Sequence, residues 1–349
     1  MSPRAAFRFL AAAILLAFVA TLGPAMAASA RPEPDAALDI QRYVALGDSY
    51  TSGPFIPFLR LDPIGCGRST NNYPSLLSQS LGLDDYTDVS CGGAATRHMT
   101  EPQAIPLGTN EPQFDALRAD TDLVTVGIGG NDFGTFGNLV GVCPTLRESD
   151  PTGSPCREHF TVDGVDTVRA NMTAIRDNVT AVLRGVRQRS PQAAVVIVGY
   201  PRIVPPKGTC PDVIPFADGD YRWADQIEQA LNRAIRQAAK RTGAVYVDTY
   251  TPSLGHDACA GDEAWINGKD TDVLRAASYH PFVSYMAAAA SLIHDTLRGV
   301  APSPERAAAA ARAAQRELEK QLRDSDSAAA QDAERAGELD SGLLPAPAG

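Results

Sequence analysis

The chain predicts an α/β fold, a three-layer α/β/α sandwich built on a central parallel sheet. Two observations predict it. Short apolar runs that end in turn residues alternate with longer segments of helical apolar spacing, and strands alternating with helices build a parallel sheet covered on both faces. The composition is that of an ordinary core-forming chain, with 349 residues of which 44% are hydrophobic and 21% charged.

The elements follow in order. Residues 43–46 predict a strand that ends in a turn, and 86–89 a weaker one. Residues 123–128 form an apolar strand running into glycines. Residues 194–198 are continuously apolar, and 245–247 make a fifth short strand. Over 165–189 the residues Val165, Val168, Met172, Ile175, Val179, Val182 and Val186 recur at alternating spacings of three and four. They share one face of a helix. No charge code of a coiled-coil seam flanks them, so this helix is expected to cover a sheet. Residues 222–241 and 283–298 predict two further helices.

The ends are of other kinds. Arg4 and Arg8 precede an unbroken apolar run over 9–20, and Ala25-Met26-Ala27 follows. That is the layout of a secretory signal peptide, and the run is too short for a bilayer span of ~20 residues. Residues 1–27 are therefore expected to be removed. This takes away Arg4 and Arg8 and no acid, so the net charge of −10 becomes −12. Residues 28–40 read as a tether containing Arg-Pro-Glu-Pro. Residues 301–349 are Ala-rich and charged, and read as a solvated helix (best over 305–323) or a disordered tail. This leaves 41–300, about 260 residues, for one domain.

An acidic chain without a long basic run has no electrostatic footprint for nucleic acid. Nothing later in the sequence is apolar for long enough to span a membrane, so a secreted, soluble product is expected, and a monomer. The six cysteines, Cys66, Cys91, Cys143, Cys156, Cys210 and Cys259, are even in number. In an exported protein they read as three disulfides, for which counting alone allows 15 pairings. Neither C-x-x-C nor H-E-x-x-H occurs, so no metal site and no redox centre is expected.

In parallel sheets ligands bind beyond the carboxyl ends of the strands, so the residues after each strand are where chemistry belongs. After the first comes Gly47-Asp48-Ser49-Tyr50-Thr51-Ser52-Gly53, a small-residue turn that lifts Ser49 beside the backbone N–H groups of a helix start. It is not a G-x-S-x-G elbow, because Thr51 stands where the second glycine would. After the second comes Cys91-Gly92-Gly93, where glycine lets a substrate oxygen approach a backbone N–H. After the third comes Gly129-Gly130-Asn131-Asp132, where Asn131 offers a side-chain N–H to the same oxygen. Among the five histidines, His280 in Ser278-Tyr279-His280-Pro281 lies just before the last helix, where an imidazole can reach back over the sheet. His294 lies inside that helix, and His256 beside Cys259 suits a structural role. Singly, each loop also reads as a plain turn. A nucleophile, glycine, amide and imidazole in that order are far more specific than any one of them.

On these four blocks the sequence resembles the GDSL or SGNH hydrolase superfamily, and more narrowly its secreted actinomycete lipases and esterases, which share the Gly-Asp-Ser-Tyr start and six cysteines. The resemblance spans roughly 43–298 and implies a flavodoxin-like sheet. It assigns Ser49 as nucleophile, His280 as base, and Ser49, Gly93 and Asn131 as the oxyanion hole, with no metal or organic cofactor. It also implies pairing in sequence order: Cys66–Cys91, Cys143–Cys156 and Cys210–Cys259. One departure matters. Many members carry Asp three residues before the His, where this chain has Ala277. Some secreted relatives orient the imidazole with a main-chain carbonyl, leaving a Ser-His dyad. The expected acceptor is therefore the carbonyl of Ser278 or Ala277, with Asp270 and Asp272 as alternatives by proximity. Asp48 is expected to be structural or electrostatic. The apolar segment Pro54-Phe55-Ile56-Pro57-Phe58-Leu59 could line an acyl-chain pocket or pack beneath the Cys66 bridge.

The implied function is a secreted lipase or carboxylesterase, with phospholipids among its candidate substrates. The alternatives are a carbohydrate acetylesterase, and a non-catalytic lipid- or glycan-binding protein on the same fold.

Overall fold

The computed structural model describes residues 39–341. Residues 1–27 and nearly all of 28–40, read above as signal peptide and tether, lie outside the described residues, as do 342–349.

Five strands form one sheet: β1 (Arg42–Gly47), β2 (Asp85–Asp88), β3 (Leu123–Gly127), β4 (Ala194–Val198) and β5 (Val245–Val247). All pairs are parallel, in the order β2-β1-β3-β4-β5. This is the flavodoxin order, which reverses direction between β1 and β3 and opens its ligand crevice there. The register pairs Gly47 with Gly127 at the ends of those two strands, and Asp48 N–H donates to the Gly127 carbonyl at 2.9 Å.

Side chains alternate across the sheet, as the pleat requires. Val44, Leu46, Val124, Val126, Val195 and Ile197 pack on one side under α3 (Met172–Arg189) and α4 (Asp218–Thr242). Tyr43, Ala45, Val196, Val198 and Val247 face the other side, covered by α2 (Tyr73–Leu81) and α5 (Val283–Leu297). The α/β/α layering is thus that of the sequence pattern.

Two elements differ from expectation. The helix expected over 165–189 starts late and breaks. Asp166 accepts a hydrogen bond from Arg169 N–H at 2.9 Å and caps a short turn, Thr167–Ala170, so Val165 cannot be helical. It pairs with Val162 in a small hairpin and is exposed, while Val168, Ile175, Val179, Val182 and Val186 are buried. Local capping chemistry outweighs one more apolar residue in phase. The tail, read as a solvated helix or a disordered segment, is the helix α6 (Pro304–Ser341), but it is not fully solvated and buries Ala307, Ala311 and Leu318. Its first turn is clamped by Arg306 to Asp295 of α5 at 2.9 Å. Alanines four apart bury little area each but let two helices approach closely, so the contact leaves almost no hydropathy signal. Among the described residues no helix is long and apolar enough to cross a membrane.

Candidate active site

Ser49 opens α1 (Ser49–Ser52), a single turn immediately after β1. Asp48 is its N-cap and accepts from Tyr50 N–H at 2.9 Å. The turn is set tight against the sheet because no side chain stands at Gly47 or Gly127. A Cβ at either would lie within 2.2 or 2.5 Å of Thr51 Oγ1. Gln113 clamps Gly47 from behind, accepting from its N–H at 2.8 Å and donating to its carbonyl at 2.9 Å. The Ser49 N–H, at a helix start, has no acceptor among the described residues.

The second block folds into a tight turn beside it. Cys91 N–H donates to the Gly47 carbonyl at 3.0 Å, and Ala94 N–H to the Cys91 carbonyl at 3.0 Å. Gly93 sits at φ 73°, in the left-handed region where glycine is unstrained. It is exposed, and its N–H also has no acceptor among the described residues. Cys66–Cys91 ties this turn to the segment that follows Ser49. Cys143–Cys156 and Cys210–Cys259 complete the pairing in sequence order.

The third block reaches the second directly. Asn131 Nδ2 donates to the Ala94 carbonyl at 2.9 Å, and an amide nitrogen carries a second hydrogen to spare. Asp132 holds the two loops together. It accepts from Thr96 N–H at 2.9 Å and Thr96 Oγ1 at 2.6 Å, and from Asn178 of α3 at 3.0 Å.

His280 is half-buried, in a loop pinned at many points. Asn267 Nδ2 donates to the Ala276 and Ala277 carbonyls at 3.0 and 3.1 Å, and Asn267 N–H to the His280 carbonyl at 2.9 Å. Two bonds tie this loop to the Ser49 region: Ala277 N–H to the Pro54 carbonyl at 3.0 Å, and Tyr50 Oη to the Tyr279 carbonyl at 2.7 Å. The Tyr50 and His280 rings lie 5.6 Å apart. His280 Nδ1 is 2.7 Å from the Ser278 carbonyl. A carbonyl only accepts, so Nδ1 carries the proton and Nε2 is left as the basic nitrogen. Burial pulls the imidazolium below its ordinary pKa, against the Ser278 carbonyl, which favours the charged ring. Among the described residues no hydrogen bond joins Ser49 Oγ to His280, and such bonds are often long before substrate arrives.

Neither Asp270 nor Asp272 touches the imidazole. Asp270 pairs with Lys269 at 3.0 Å, and Asp272 accepts from Leu274 N–H at 3.0 Å. Asp270→Asn and Asp272→Asn should therefore each keep kcat within about twofold of wild type, whereas a catalytic carboxylate would cost on the order of 10⁴-fold. Steady-state rates on a soluble ester separate the two outcomes. His256 stacks on Trp265 at 4.2 Å and meets the Glu263 carbonyl at 2.7 Å, away from the site, as a structural histidine does.

Sequence reasoning missed Tyr200. Its hydroxyl donates to Asp48 at 2.5 Å and accepts from Gly130 N–H at 2.9 Å, so it links the first block to the third. Burial pushes Asp48 up to about 7, while the bonds from Tyr200 and Tyr50 favour its carboxylate. Tyr200 lies two residues past β4, and the rule that located the other loops could have found it. The apolar segment after Ser49 does not act as one lining. Ile56 is fully buried, whereas Phe55 and Phe58 stand exposed at φ 65° and 66°. A cavity of 530 Å³ lies behind the His280 loop, against Trp265, Asn267 and α6, and none of the four block residues lines it.

The comparisons with known proteins point to one family. Residues 45–283 match the model of the GDSL-like Lipase/Acylhydrolase family. The chain is 42% identical over 246 residues to Lipase 2 of Streptomyces coelicolor, covering 68% of this chain and 80% of that protein. Among solved structures, phospholipase A1 from Streptomyces albidoflavus NA297 superposes with a TM-score of 0.62 at 27% identity, covering 73% of this chain and 99% of that one. The extracellular lipase from Streptomyces rimosus does so with a TM-score of 0.60 at 26% identity and the same coverage. A serine at the sheet's crevice, an imidazole with its tautomer set, and a match running unbroken from β1 to the start of α5 lead to one conclusion: the chain belongs to the GDSL-like lipase/acylhydrolase family and is a carboxylic ester hydrolase.

Proposed function

We propose that the protein is a secreted lipase or carboxylesterase that cleaves lipid acyl esters through a Ser49–His280 dyad and an acyl-enzyme. The observation that carries the dyad is the Ser278 carbonyl at His280 Nδ1, which sets the tautomer that the missing carboxylate would otherwise set.

Ser49 Oγ attacks the ester carbonyl carbon while His280 Nε2 takes the hydroxyl proton. Negative charge moves onto the carbonyl oxygen, where the N–H groups of Ser49 and Gly93 and the second Asn131 hydrogen receive it. The tetrahedral species collapses, the C–O bond to the alcohol breaks, and the alkoxide leaves with the proton held by His280. Water then attacks the acyl-Ser49 ester with His280 again as base. The carboxylic acid departs and Ser49 Oγ regains its proton.

His280 acts as a base only when neutral. Its depressed pKa places the acid limb of kcat/KM below the ordinary histidine value of about 6.5. Activity should persist as pH falls through 6.5 and disappear only below it, and a pH–rate profile on a soluble ester checks this.

Lipid esters are favoured by Phe55 and Phe58. Two large apolar rings are held outward, just past the nucleophile, in a backbone region that non-glycine residues rarely adopt. The solved relatives named a lipase and a phospholipase support the same substrate class. The substrate test compares short soluble acyl esters, long-chain esters, phospholipid and an acetylated polysaccharide. Long-chain ester or phospholipid should be preferred. Phe55→Ser/Phe58→Ser should lower the rate on long-chain ester about tenfold, from two lost apolar contacts of ~1 kcal/mol or less each, and leave short esters unchanged. Preference for the acetylated polysaccharide would replace the lipid reading. Export is supported by the charged and apolar pattern of residues 1–27, by the three disulfides, and by likeness to an extracellular lipase.

A further inference from the structure

We propose that Gln103 is a positioning residue that locks the peptide unit carrying the Gly93 N–H in the orientation an oxyanion hole requires. This rests on the assignment of Gly93 as an oxyanion donor.

The Cys91–Ala94 turn is closed by Ala94 N–H on the Cys91 carbonyl, and its central residues are Gly92 and Gly93. With positive φ at Gly93 and not at Gly92, the turn is type II. Types I and II differ chiefly by a flip of the central peptide unit, here the Gly92 C=O together with the Gly93 N–H. The two groups point in opposite directions across one rigid plane. Whatever holds the Gly92 oxygen therefore aims the Gly93 N–H, and a flip would turn that N–H away from the substrate.

Gln103 holds this oxygen. Its Nε2 donates to the Gly92 carbonyl at 2.7 Å from a strand, Gln103–Ile105, paired with Gly108–Asn110. The side chain is only 6% exposed, and Nε2 lies 3.7 Å from where a Gly93 Cβ would stand. The other end of the amide is left in deficit, because Gln103 Oε1 is buried with no partner among the described residues. Reversing the amide would set Oε1 against the Gly92 oxygen, acceptor to acceptor, so the nitrogen must face Gly92. A buried amide that satisfies one carbonyl and leaves its own oxygen unpaired reduces stability. Residues retained at such a cost are characteristic of functional sites.

The test is Gln103→Met, which keeps length and approximate volume and removes both the donor and the unpaired acceptor. On a short soluble ester, kcat should fall about tenfold, less than the roughly 10²–10³-fold cost of losing an oxyanion donor outright. KM should stay within about twofold, since the Gly93 N–H is used in the transition state. The melting temperature should change little, because the lost hydrogen bond to the Gly92 carbonyl is offset by removal of an unsatisfied buried oxygen. A wild-type kcat would overturn the proposal. So would a melting temperature that falls together with kcat, the mark of a packing role. Asn131→Ala is measured in parallel. If it is impaired while Gln103→Met is not, the Gln103 lock alone is wrong. If Asn131→Ala and Gln103→Met both keep wild-type kcat, the oxyanion assignment of these loops fails and takes the lock with it. If Asn131→Ala alone does, Asn131 is a loop anchor and the lock stands on its own kcat.

Discussion

Ser49→Ala and His280→Ala should each lower kcat on a soluble ester by on the order of 10⁴- to 10⁶-fold, and the double variant should be little worse than either alone. In the proposed mechanism nucleophile and base act as one unit. Without His280 the serine hydroxyl stays protonated, and without Ser49 the imidazole has no proton to move. The fold should survive both changes. Ser49 Oγ makes no hydrogen bond among the described residues, and alanine suits the first position of a helix. His280→Ala loses the Ser278 contact and the approach to the Tyr50 ring, but the loop keeps its Asn267 clamps and its ties to Pro54 and Tyr50. Stopped assays with circular dichroism decide the matter. Wild-type-like turnover in either folded variant would remove that residue from the mechanism.

Asn131→Ala should lower kcat by roughly 10²–10³-fold with a much smaller change in KM. The reason is the timing of charge. The ester oxygen is nearly neutral in the bound substrate and becomes an oxyanion only as Ser49 attacks, so a donor aimed at it contributes mainly to the transition state. Asn131 is set for this by the bond from its Nδ2 to the Ala94 carbonyl, which leaves one hydrogen free. Loss of that bond should also cost about 1 kcal/mol of stability. A denaturation curve separates this part from the kinetic one. An unchanged kcat would make Asn131 a loop anchor and nothing more.

Much of the fold and of the site is legible in the residues alone. Strand periodicity and the residues that stop each strand locate β1, β3, β4 and β5 to within a residue or so, because those signals are local. The four blocks lie where a parallel sheet opens its crevice, and their order in the chain carries the family resemblance. The start of α3 is not legible, because Val165 keeps the helical phase while Asp166, its neighbour, caps the separate short turn Thr167–Ala170. The α6 contact is hidden because alanine carries too little hydropathy to mark a buried face.

The sequence by itself determined the α/β class and the loops that bear chemistry, and by resemblance the type of reaction, since each depends on residues a few positions apart. It left the orienting group of His280 open between carbonyls and carboxylates. That choice depends on how a loop with Tyr279 at φ 57° turns the Ser278 carbonyl inward. Only the tertiary structure could bring Tyr200 onto Asp48, 152 residues away in the chain, and seat Gln103 behind Gly92. Hydrogen bonds between distant segments form where the packed layers place two polar groups within about 3 Å, and no local pattern of residue types encodes that distance.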